Sequence, residues 1–573
     1  MSVSFQTMAA IRFGYGFKPG EPVPSDKRAL LEQVRGGAAS APLFPIGGIE
    51  ARRKAIADAA DALQAIRKGN AADPDKRAAE NAMYRRLGEM SQRDIDARIA
   101  QAVFSPNGFY ERLASFWVNH FSVSLQKTQQ MRLIVPLFEA EAIRPNIGKP
   151  FPELLKAVTR HPAMLIYLDQ AQSIGPDSPA GLKQKKGLNE NLARELIELH
   201  TLGAGSGYSQ TDVRSAAMVL TGIALDRQGL TAEFKPGMSE PGSHAVLGVS
   251  YGAKPRSEAD YLAMLDNLAL HPKTAQHICR KLVAHFIADQ PPQPMIDVMA
   301  DCWNNTKGDL SAVYATMLDH PDAWSGEGAK ARSPFDFVVA GLRALNLPKN
   351  PLADSAATQS LTVADVGPGM EGPAASPAPT APPPSSAPPA GSAAPMAADS
   401  RAVPVPAGNA GHDGNAAAAM PAPAAMDAAK HDARAPIGAT MTAGTALSPV
   451  GDPAAEVLRR KQEQAALEAI FYVPSGLGVY ALRRMGQPVW QPSSPAGFPE
   501  NFDAWINAST LSERLAWSRR AIGRYGKQTD PRQFLRDTLG DAAREDTIRV
   551  VSQAPSRVTG LMLVLASPDF NRR

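Results

Sequence analysis

Cysteine is almost absent from the chain, which has only Cys279 and Cys302 among its 573 residues. Two thiols cannot form a disulfide framework, and their spacing matches no CxxC pair or other metal-binding pattern. A single bridge between them stays open, but two small buried thiols are the favoured interpretation. The sequence therefore excludes a disulfide-stabilised scaffold.

Long apolar runs are missing as well. The most apolar stretches, near Met218 and Leu563, are far shorter than the roughly 20 residues that a membrane-spanning helix needs. The first residues, MSVSFQTMAAIRFGYG, contain no basic region, apolar stretch or cleavage site of a secretory signal. The sequence thus predicts no membrane span and favours a cytoplasmic location.

An excess of either charge is also lacking, because 60 basic residues nearly balance 56 acidic ones. A nucleic-acid-binding protein usually has a marked basic excess. We therefore expect no nucleic-acid partner.

Aromatic residues disappear between Phe337 and Phe471. From about residue 350 to 452, Ala, Pro, Gly and Ser dominate, and such a segment cannot bury enough apolar surface to offset its ordering entropy. We expect a disordered insert at 350–452 that separates a helical N-terminal part, 1–349, from a helical C-terminal part, 453–573. Both parts are expected to pack on one core.

Helical periodicity covers most of the remaining sequence. Apolar residues recur at three- and four-residue steps, as around Leu30 and Ile56. One stretch, residues 232–252, breaks this rhythm with Pro, Gly and Ser between short β-prone pieces, and we expect a small irregular or β-hairpin segment there. The predicted fold class is mainly α, with a multi-helical globular core.

Four helix starts carry a hydroxyl side chain followed three residues later by a carboxylate. This spacing lets the two side chains cap the free N–H groups of the first turn. The four pairs are Ser91 with Asp94, Ser209 with Asp212, Ser333 with Asp336, and Thr510 with Glu513.

Signatures of nucleotide binding and serine hydrolysis are absent: there is no P-loop, no GxSxG and no GxGxxG after a strand. The densest polar group lies instead in NENLARELIELHTLG, residues 189–203, a helix that Gly203 is placed to end. Glu190, Arg194 and Glu198 lie at four-residue steps on one stripe. Glu195 and His200 are on the same helix.

Two interpretations of this helix stay open. In the first, a divalent metal ion is bound and the catalytic residues are His120, Glu195 and His200, with His120 reaching in from another helix. The metal ligands would be Glu190, Glu195, Glu198 and His200. The surrounding polar network would be Asn119, Asn191, Arg194 and Asp212. In the second, the helix has a solvated face with Glu–Arg pairs, and His120 is a hydrogen-bonded core residue.

The segments FWVNHFSVS, NENLARELIELHTLG and YSQTDVRSAAMVLTG resemble the large bacterial family known as domain of unknown function 1800. HPKTAQHICRKLVAHF and GQPVWQPSSPAGFP are also similar to it, so the resemblance extends over the chain apart from the insert. It implies a helical fold and no established activity.

The resemblance also bears on partners and location. Members of the family often carry export signals and look to be encoded beside a second uncharacterised family that is similar to sulfatases and phosphatases. The predicted function is therefore an accessory or partner-binding protein for such a neighbour, the alternative being a metal-assisted hydrolase. Export in complex with a signal-bearing partner is the alternative to a cytoplasmic location.

Overall fold

The computed structural model describes residues 3–68, 74–184, 187–226, 230–252, 255–326, 328, 330–348, 473–526 and 528–573. All of these residues fall in one compact unit. The insert predicted at 350–452 lies outside the described residues.

The prediction of a mainly helical fold is confirmed. Before the insert the α-helices are α1 (Phe5–Met8), α2 (Lys27–Ala39), α3 (Gly48–Lys68), α4 (Pro74–Phe104), α5 (Gly108–His120), α6 (Met131–Leu137), α7 (Phe151–Arg160), α8 (Pro162–Tyr167), α9 (Pro179–Gln184), α10 (Asn191–Glu195), α11 (Gln210–Leu220), α12 (Glu258–Ala269), α13 (Pro272–Phe286), α14 (Gln293–Thr306), α15 (Leu310–Asp319) and α16 (Pro334–Ala344).

Short π- and 3-10 helical turns extend several of these helices. The π turns are Ala9–Phe13, Phe138–Ile143 and Leu196–His200, and the 3-10 turns before the insert are Arg144–Asn146, Gln170–Gln172, Pro236–Met238 and Pro321–Trp324.

After the insert the described helices are α17 (Val479–Arg484), α18 (Phe502–Trp505), α19 (Ala508–Tyr525), α20 (Pro531–Leu539), α21 (Glu545–Ser552), α22 (Arg557–Ala566) and α23 (Pro568–Asn571). A 3-10 turn, Gly540–Ala542, follows α20. Among the described residues, no helix combines the length and apolar character needed to cross a membrane.

The expected break in the helical pattern is a pair of small antiparallel sheets. Strand β1 (Ile223–Leu225) pairs with β2 (Ala232–Phe234), and β3 (His244–Val246) pairs with β4 (Val249–Tyr251). The second pair is a tight hairpin in which Leu247 and Gly248 both have positive φ, as a two-residue turn between twisted strands requires. The hairpin predicted within residues 232–252 is confirmed.

Two helices lie at the centre of the core. Nine of the thirteen residues of α5 are buried, and every residue of α16 is buried. A helix that is apolar on all sides is surrounded by other elements. The later helices contribute to this core: Trp517 of α19 lies where a Cβ on Gly341 of α16 would come within 2.4 Å of it. Gly341 therefore allows the two helices to approach closely.

Of the four predicted caps, the pair of Ser209 and Asp212 is correct, because it forms a reciprocal box at the start of α11. The prediction for Ser333 is correct in its first half only: the Ser333 side chain caps α16, but the Asp336 carboxylate pairs with Arg112. The prediction for Ser91 is wrong, because Ser91 lies inside α4 and the Asp94 carboxylate pairs with Arg52 of α3 instead.

The prediction for Thr510 is displaced by one turn. Helix α19 begins at Ala508 with Asn507 as its cap, and Thr510 occupies the third helical position. Glu513 pairs with Arg484 on α17. Both predicted thiols are free; Cys279 is buried and Cys302 is partly buried.

Candidate functional site

The predicted polar helix is α10 followed by the π turn Leu196–His200. Arg194 lies between two carboxylates, 3.4 Å from Glu190 and 3.2 Å from Glu198. Gln210 of α11 also bonds to Glu190 and Arg194. Each of these two predicted metal ligands thus already contacts a guanidinium group.

Glu195 stands apart from those pairs. It is partly buried, and burial together with the neighbouring Glu198 raises the pKa of its carboxyl group. Among the described residues, no group of three or more His, Cys, Asp or Glu side chains is arranged to hold a metal ion. The divalent metal ion, with Glu190, Glu195, Glu198 and His200 as its ligands, stays a prediction.

His120 and His200 do lie together. Their ring centroids are 6.1 Å apart, and His120 Nε2 bonds the backbone carbonyl of His200 at 3.2 Å. His277 of α13 bonds the carbonyl of Leu199, also at 3.2 Å. The two rings therefore satisfy carbonyl groups that the end of the helix leaves free. Gly203, which ends the segment as predicted, has φ +94°, and a Cβ there would lie 2.7 Å from His277 Nδ1.

This histidine cluster, His120, His200 and His277, is neutral at pH 7. Burial is the largest cause, and the nearby Lys281 ammonium adds to it. Together they lower the pKa of His200 to about 3 and that of His277 to about 4, and that of His120 well below its ordinary value. Neither ring nitrogen of His200 has a hydrogen-bond partner among the described residues.

The other predicted polar residues lie elsewhere. Asn191 is exposed, and its N–H donates to the side chain of Asn189. Asp212 caps α11 and also accepts the N–H of Leu247 in the β3–β4 turn. Asn119 donates to the carbonyl of Phe498, and so belongs to a different site.

That second site is a cavity of about 90 Å³ between α4, α5, α13, α16 and the irregular segment 487–500. Its walls combine apolar side chains with a ring of charged and amide groups. The residues that line it include Arg98, Ser115, Val118, Asn119, His285, Phe335, Asp336, Val489, Trp490, Phe498, Glu500 and Arg573.

Glu139 fixes one wall of the cavity. This fully buried carboxylate accepts hydrogen bonds from the indole of Trp490 at 2.8 Å and from Arg144 at 3.0 Å, and it pairs with Arg98 at 2.7 Å. Trp490 has a backbone φ of +55°, which is uncommon for a bulky residue and costs energy. The bond to Glu139 helps to offset that cost.

A chain of polar side chains forms another wall. Glu500 Oε1 accepts from His285 Nδ1 at 2.9 Å, while His285 Nε2 lies 3.3 Å from Arg112 Nη2. Burial would raise the pKa of Glu500, but His285, Lys330 and Arg112 outweigh burial and lower it to about 2. Glu500 is therefore ionised, so His285 donates to it from Nδ1.

Next to this wall, guanidinium groups outnumber carboxylates around Asp336. The Asp336 carboxylate lies 2.6 Å from Arg112 and 3.5 Å from Arg573, and it also interacts with the charges of Arg332 and Arg514. Burial lowers the pKa of both Arg332 and Arg514 to about 10. All four guanidinium groups are buried.

Several guanidinium N–H groups at the cavity have no acceptor. Arg98 donates to Ser115 and pairs with Glu139, yet its Nη1 has no partner among the described residues. Arg573 donates from Nη2 to the carbonyl of His285 and pairs through Nε with Asp336 at 3.5 Å, whereas its Nη1 makes no hydrogen bond to the described chain. Leaving charged donors unsatisfied in a buried place is costly.

Sequence reasoning missed this site. Its arginines are scattered from residue 98 to residue 573, so no local motif joins them. The one available signal was the aromatic residues of GQPVWQPSSPAGFPEN, the segment that supplies Trp490, Phe498 and Glu500.

Comparison with known proteins gives one match. A family model described as "Protein of unknown function (DUF1800)" matches residues 8–374 and 418–572. No curated protein and no solved structure matches the chain.

Proposed function

Since the chain belongs to the DUF1800 family of proteins of unknown function, no activity can be transferred to it, and we propose from its geometry that it binds a small anion in the cavity beside segment 487–500. The observation that carries this proposal is the set of unpartnered N–H groups on Arg98 and Arg573. An anionic ligand would supply the acceptors that these buried donors lack.

The charges around the cavity support an anion over a cation. The guanidinium groups of Arg112, Arg332, Arg514 and Arg573 lie around Asp336, and the other carboxylate at the cavity, Glu500, is already bonded to His285. Because these guanidinium groups are buried, their attraction for a bound anion is stronger than at an exposed surface. Arginine also matches carboxylate and phosphate groups in a bidentate geometry.

The experiment is a thermal-shift and calorimetric titration of the full chain at constant ionic strength, with acetate, phosphate, sulfate and chloride. We expect one of the oxyanions to raise the melting temperature saturably while chloride does not. Arg573→Gln removes donors and Val118→Phe fills the cavity without changing its charge, so both should abolish the effect. Arg519→Gln, on the exposed face of α19, is the matched control.

The proposal fails if no oxyanion stabilises the wild-type chain. It also fails if Arg573→Gln and Val118→Phe, shown by circular dichroism to be folded, respond as the control does.

The accessory role remains a second prediction beside anion binding. A protein that binds a small anion can assist a sulfatase-like or phosphatase-like partner, whose products are anions. Affinity purification from the native cell, from each compartment separately, tests both the partner and the location. Recovery of the chain without a stable partner would count against the accessory role.

The metal-assisted hydrolase is less well supported, since Arg194 contacts both Glu190 and Glu198. Its test is elemental analysis by plasma mass spectrometry of the purified chain and of a Glu195→Ala, His200→Ala double variant. A stoichiometric metal that the variant loses would establish that site.

A further inference from the structure

A cleft of about 540 Å³ lies between α4, the loop 121–130 before α6, and α17, and it also borders segment 487–500. The loop is joined to that segment, because the N–H of Leu125 donates to the carbonyl of Trp490 at 3.0 Å. Sites that hold small molecules usually measure about 300–1,000 Å³. The cleft therefore has space for a ligand much larger than a single oxyanion.

The charge in the cleft is positive. Arg132 of α6 and Arg483 of α17 line it, and no carboxylate does so among the residues that the structure describes. Neither guanidinium group has an ion pair or a hydrogen bond within the described chain. Arg132 is half-buried and Arg483 is exposed, so a ligand can enter from solvent beside Arg483. Two positive charges without a counter-charge favour an anion.

Three amide groups of the cleft have unused hydrogen-bonding atoms. Gln126 Nε2 donates to Gln491 Oε1 at 3.1 Å, which leaves Gln126 Oε1 and Gln491 Nε2 for a ligand. Gln92 Nε2 lies 3.5 Å from both carboxylate oxygens of Asp96, which leaves Gln92 Oε1 as an acceptor. Free donors and acceptors in one cleft match hydroxyl groups, because each hydroxyl both donates and accepts.

The remaining walls exclude a planar ligand. Ser91, which lies inside α4 and caps no helix, adds a hydroxyl group to the cleft. Its apolar side chains are aliphatic: Ile95, Leu125 and Pro488. Since none of the described lining residues is aromatic, a nucleobase would find no ring to stack on.

We propose that this cleft binds a polyhydroxylated anion of the size of a monosaccharide, such as a sugar phosphate or a sugar acid. The guanidinium groups of Arg132 and Arg483 bind its phosphate or carboxylate. The three amide groups and Ser91 bind its hydroxyl groups. This site is separate from the anion cavity and does not rest on the proposed function.

The test is a calorimetric titration of the full chain at constant ionic strength with four probes. D-glucose 6-phosphate and D-gluconate carry both hydroxyl groups and charge, whereas D-glucose lacks the charge and inorganic phosphate lacks the carbon chain. We expect one of the two hydroxylated anions to bind at least about tenfold tighter than D-glucose and phosphate, as one additional charge-assisted hydrogen bond provides. Which of the two binds tighter distinguishes a sugar phosphate from a sugar acid.

Two variants locate the ligand. Arg132→Gln removes a charge, and Gly88→Leu fills the cleft without changing its charge, since a Cβ on Gly88 would lie 3.4 Å from Arg132 Nη1. Gly88 lies within α4, where leucine is a better helix former than glycine. Both variants should weaken binding at least about tenfold. Arg519→Gln and Gly523→Leu, on the exposed face of α19, are the matched controls and should bind normally.

The inference is overturned if neither hydroxylated anion binds tighter than D-glucose and phosphate. It is also overturned if folded Arg132→Gln and Gly88→Leu bind as their controls do. Val118→Phe, which fills the anion cavity, should leave this binding unchanged; if it abolishes binding and Gly88→Leu does not, the ligand occupies the anion cavity instead. The comparison of probes on the wild-type chain is decisive even if a variant does not fold.

Discussion

At the scale of single residues, buried charges determine how the cavity is built. Glu139 is fully buried and contacts Arg98, Arg144 and Trp490. Removing one partner of a buried ion pair is far more destabilising than removing an exposed pair, because the remaining charge stays desolvated. Glu139 is therefore a positioning residue for the wall of the cavity that contains Arg98 and Trp490.

We predict that Glu139→Gln lowers the free energy of unfolding by about 3–5 kcal/mol, measured by urea denaturation. Arg98 would lose its buried counter-charge, and Arg144 would keep only its pair with Glu111. Glu513→Gln, which removes the pair between α19 and the exposed Arg484, should cost no more than about 1 kcal/mol. Equal losses in the two variants would contradict the role assigned to Glu139.

The histidine cluster predicts a loss of stability in acid. Above pH about 6.5, His200 is neutral in both the folded and the unfolded chain. As the pH falls from 6.5 toward 3, the unfolded chain takes up a proton that the folded chain rejects, because the pKa of His200 in the fold is about 3. Stability then falls by up to about 1.4 kcal/mol per pH unit for this one group.

His200→Leu should reduce that slope by about one proton between pH 6 and pH 4, as measured by urea denaturation at several pH values. At pH 7.5 and above, where His200 is neutral in either state, its titration adds no pH dependence to either chain. An unchanged slope in the variant would show that His200 is not held neutral by the fold.

At the scale of single residues, the sequence predicted only part of the candidate site. It placed His120 beside the helix that carries His200, and the two do meet. It could not foresee that the contact is made by the backbone carbonyl of His200, since that depends on where the helix ends. The guanidinium groups of the cavity could not be predicted from the sequence, because only the tertiary fold brings Arg98 and Arg573 together.

At the scale of secondary-structure elements, the capping pattern succeeded where a helix truly begins. Ser209 and Ser333 precede their helices directly. Ser91 carries the same pattern inside α4, where the backbone N–H groups are already bonded within the helix and no cap is needed. A pattern that satisfies free N–H groups thus locates a helix start only if the preceding residues are not helical.

Asp212 links two elements, and its removal should cost more than a cap alone. It closes the box with Ser209 and accepts the N–H of Leu247 at 2.7 Å in the β3–β4 turn. We predict that Asp212→Ala lowers the free energy of unfolding by about 2 kcal/mol, and Ser209→Ala by about 1 kcal/mol. Asp301→Ala on the exposed face of α14 is the control. If Asp212→Ala lowers the free energy of unfolding no more than Asp301→Ala does, the link between α11 and the β3–β4 turn is contradicted.

At the scale of the whole molecule, the sequence divided the chain at 349 and 453. Residues on either side of the insert contact each other directly, as in the bonds from Asn119 to Phe498 and from Arg573 to His285. Composition predicts the insert because aromatic residues are missing from that segment, whereas the pairing of the two flanking parts depends on packing that no local pattern encodes.

We predict that a chain with residues 350–452 replaced by a short Gly/Ser linker keeps its cooperative thermal transition and its anion-induced shift. An Ala/Pro/Gly/Ser-rich segment contributes too little apolar surface to a core to affect either. Scanning calorimetry with and without the stabilising oxyanion measures both. A chain that fails to fold, or folds without binding, would show that the insert contributes to the core or to the cavity.

The cavity takes Arg98, Asn119 and Asp336 from before the insert and Trp490, Glu500 and Arg573 from after it. On the ribosome, more than 200 residues are still to be made when Asp336 has emerged. At about 5–20 residues per second, the first part waits on the order of 10 s or longer with these charges and the apolar faces of α5 and α16 uncovered. Nascent chains of this protein should therefore be clients of the chaperones that bind emerging apolar segments.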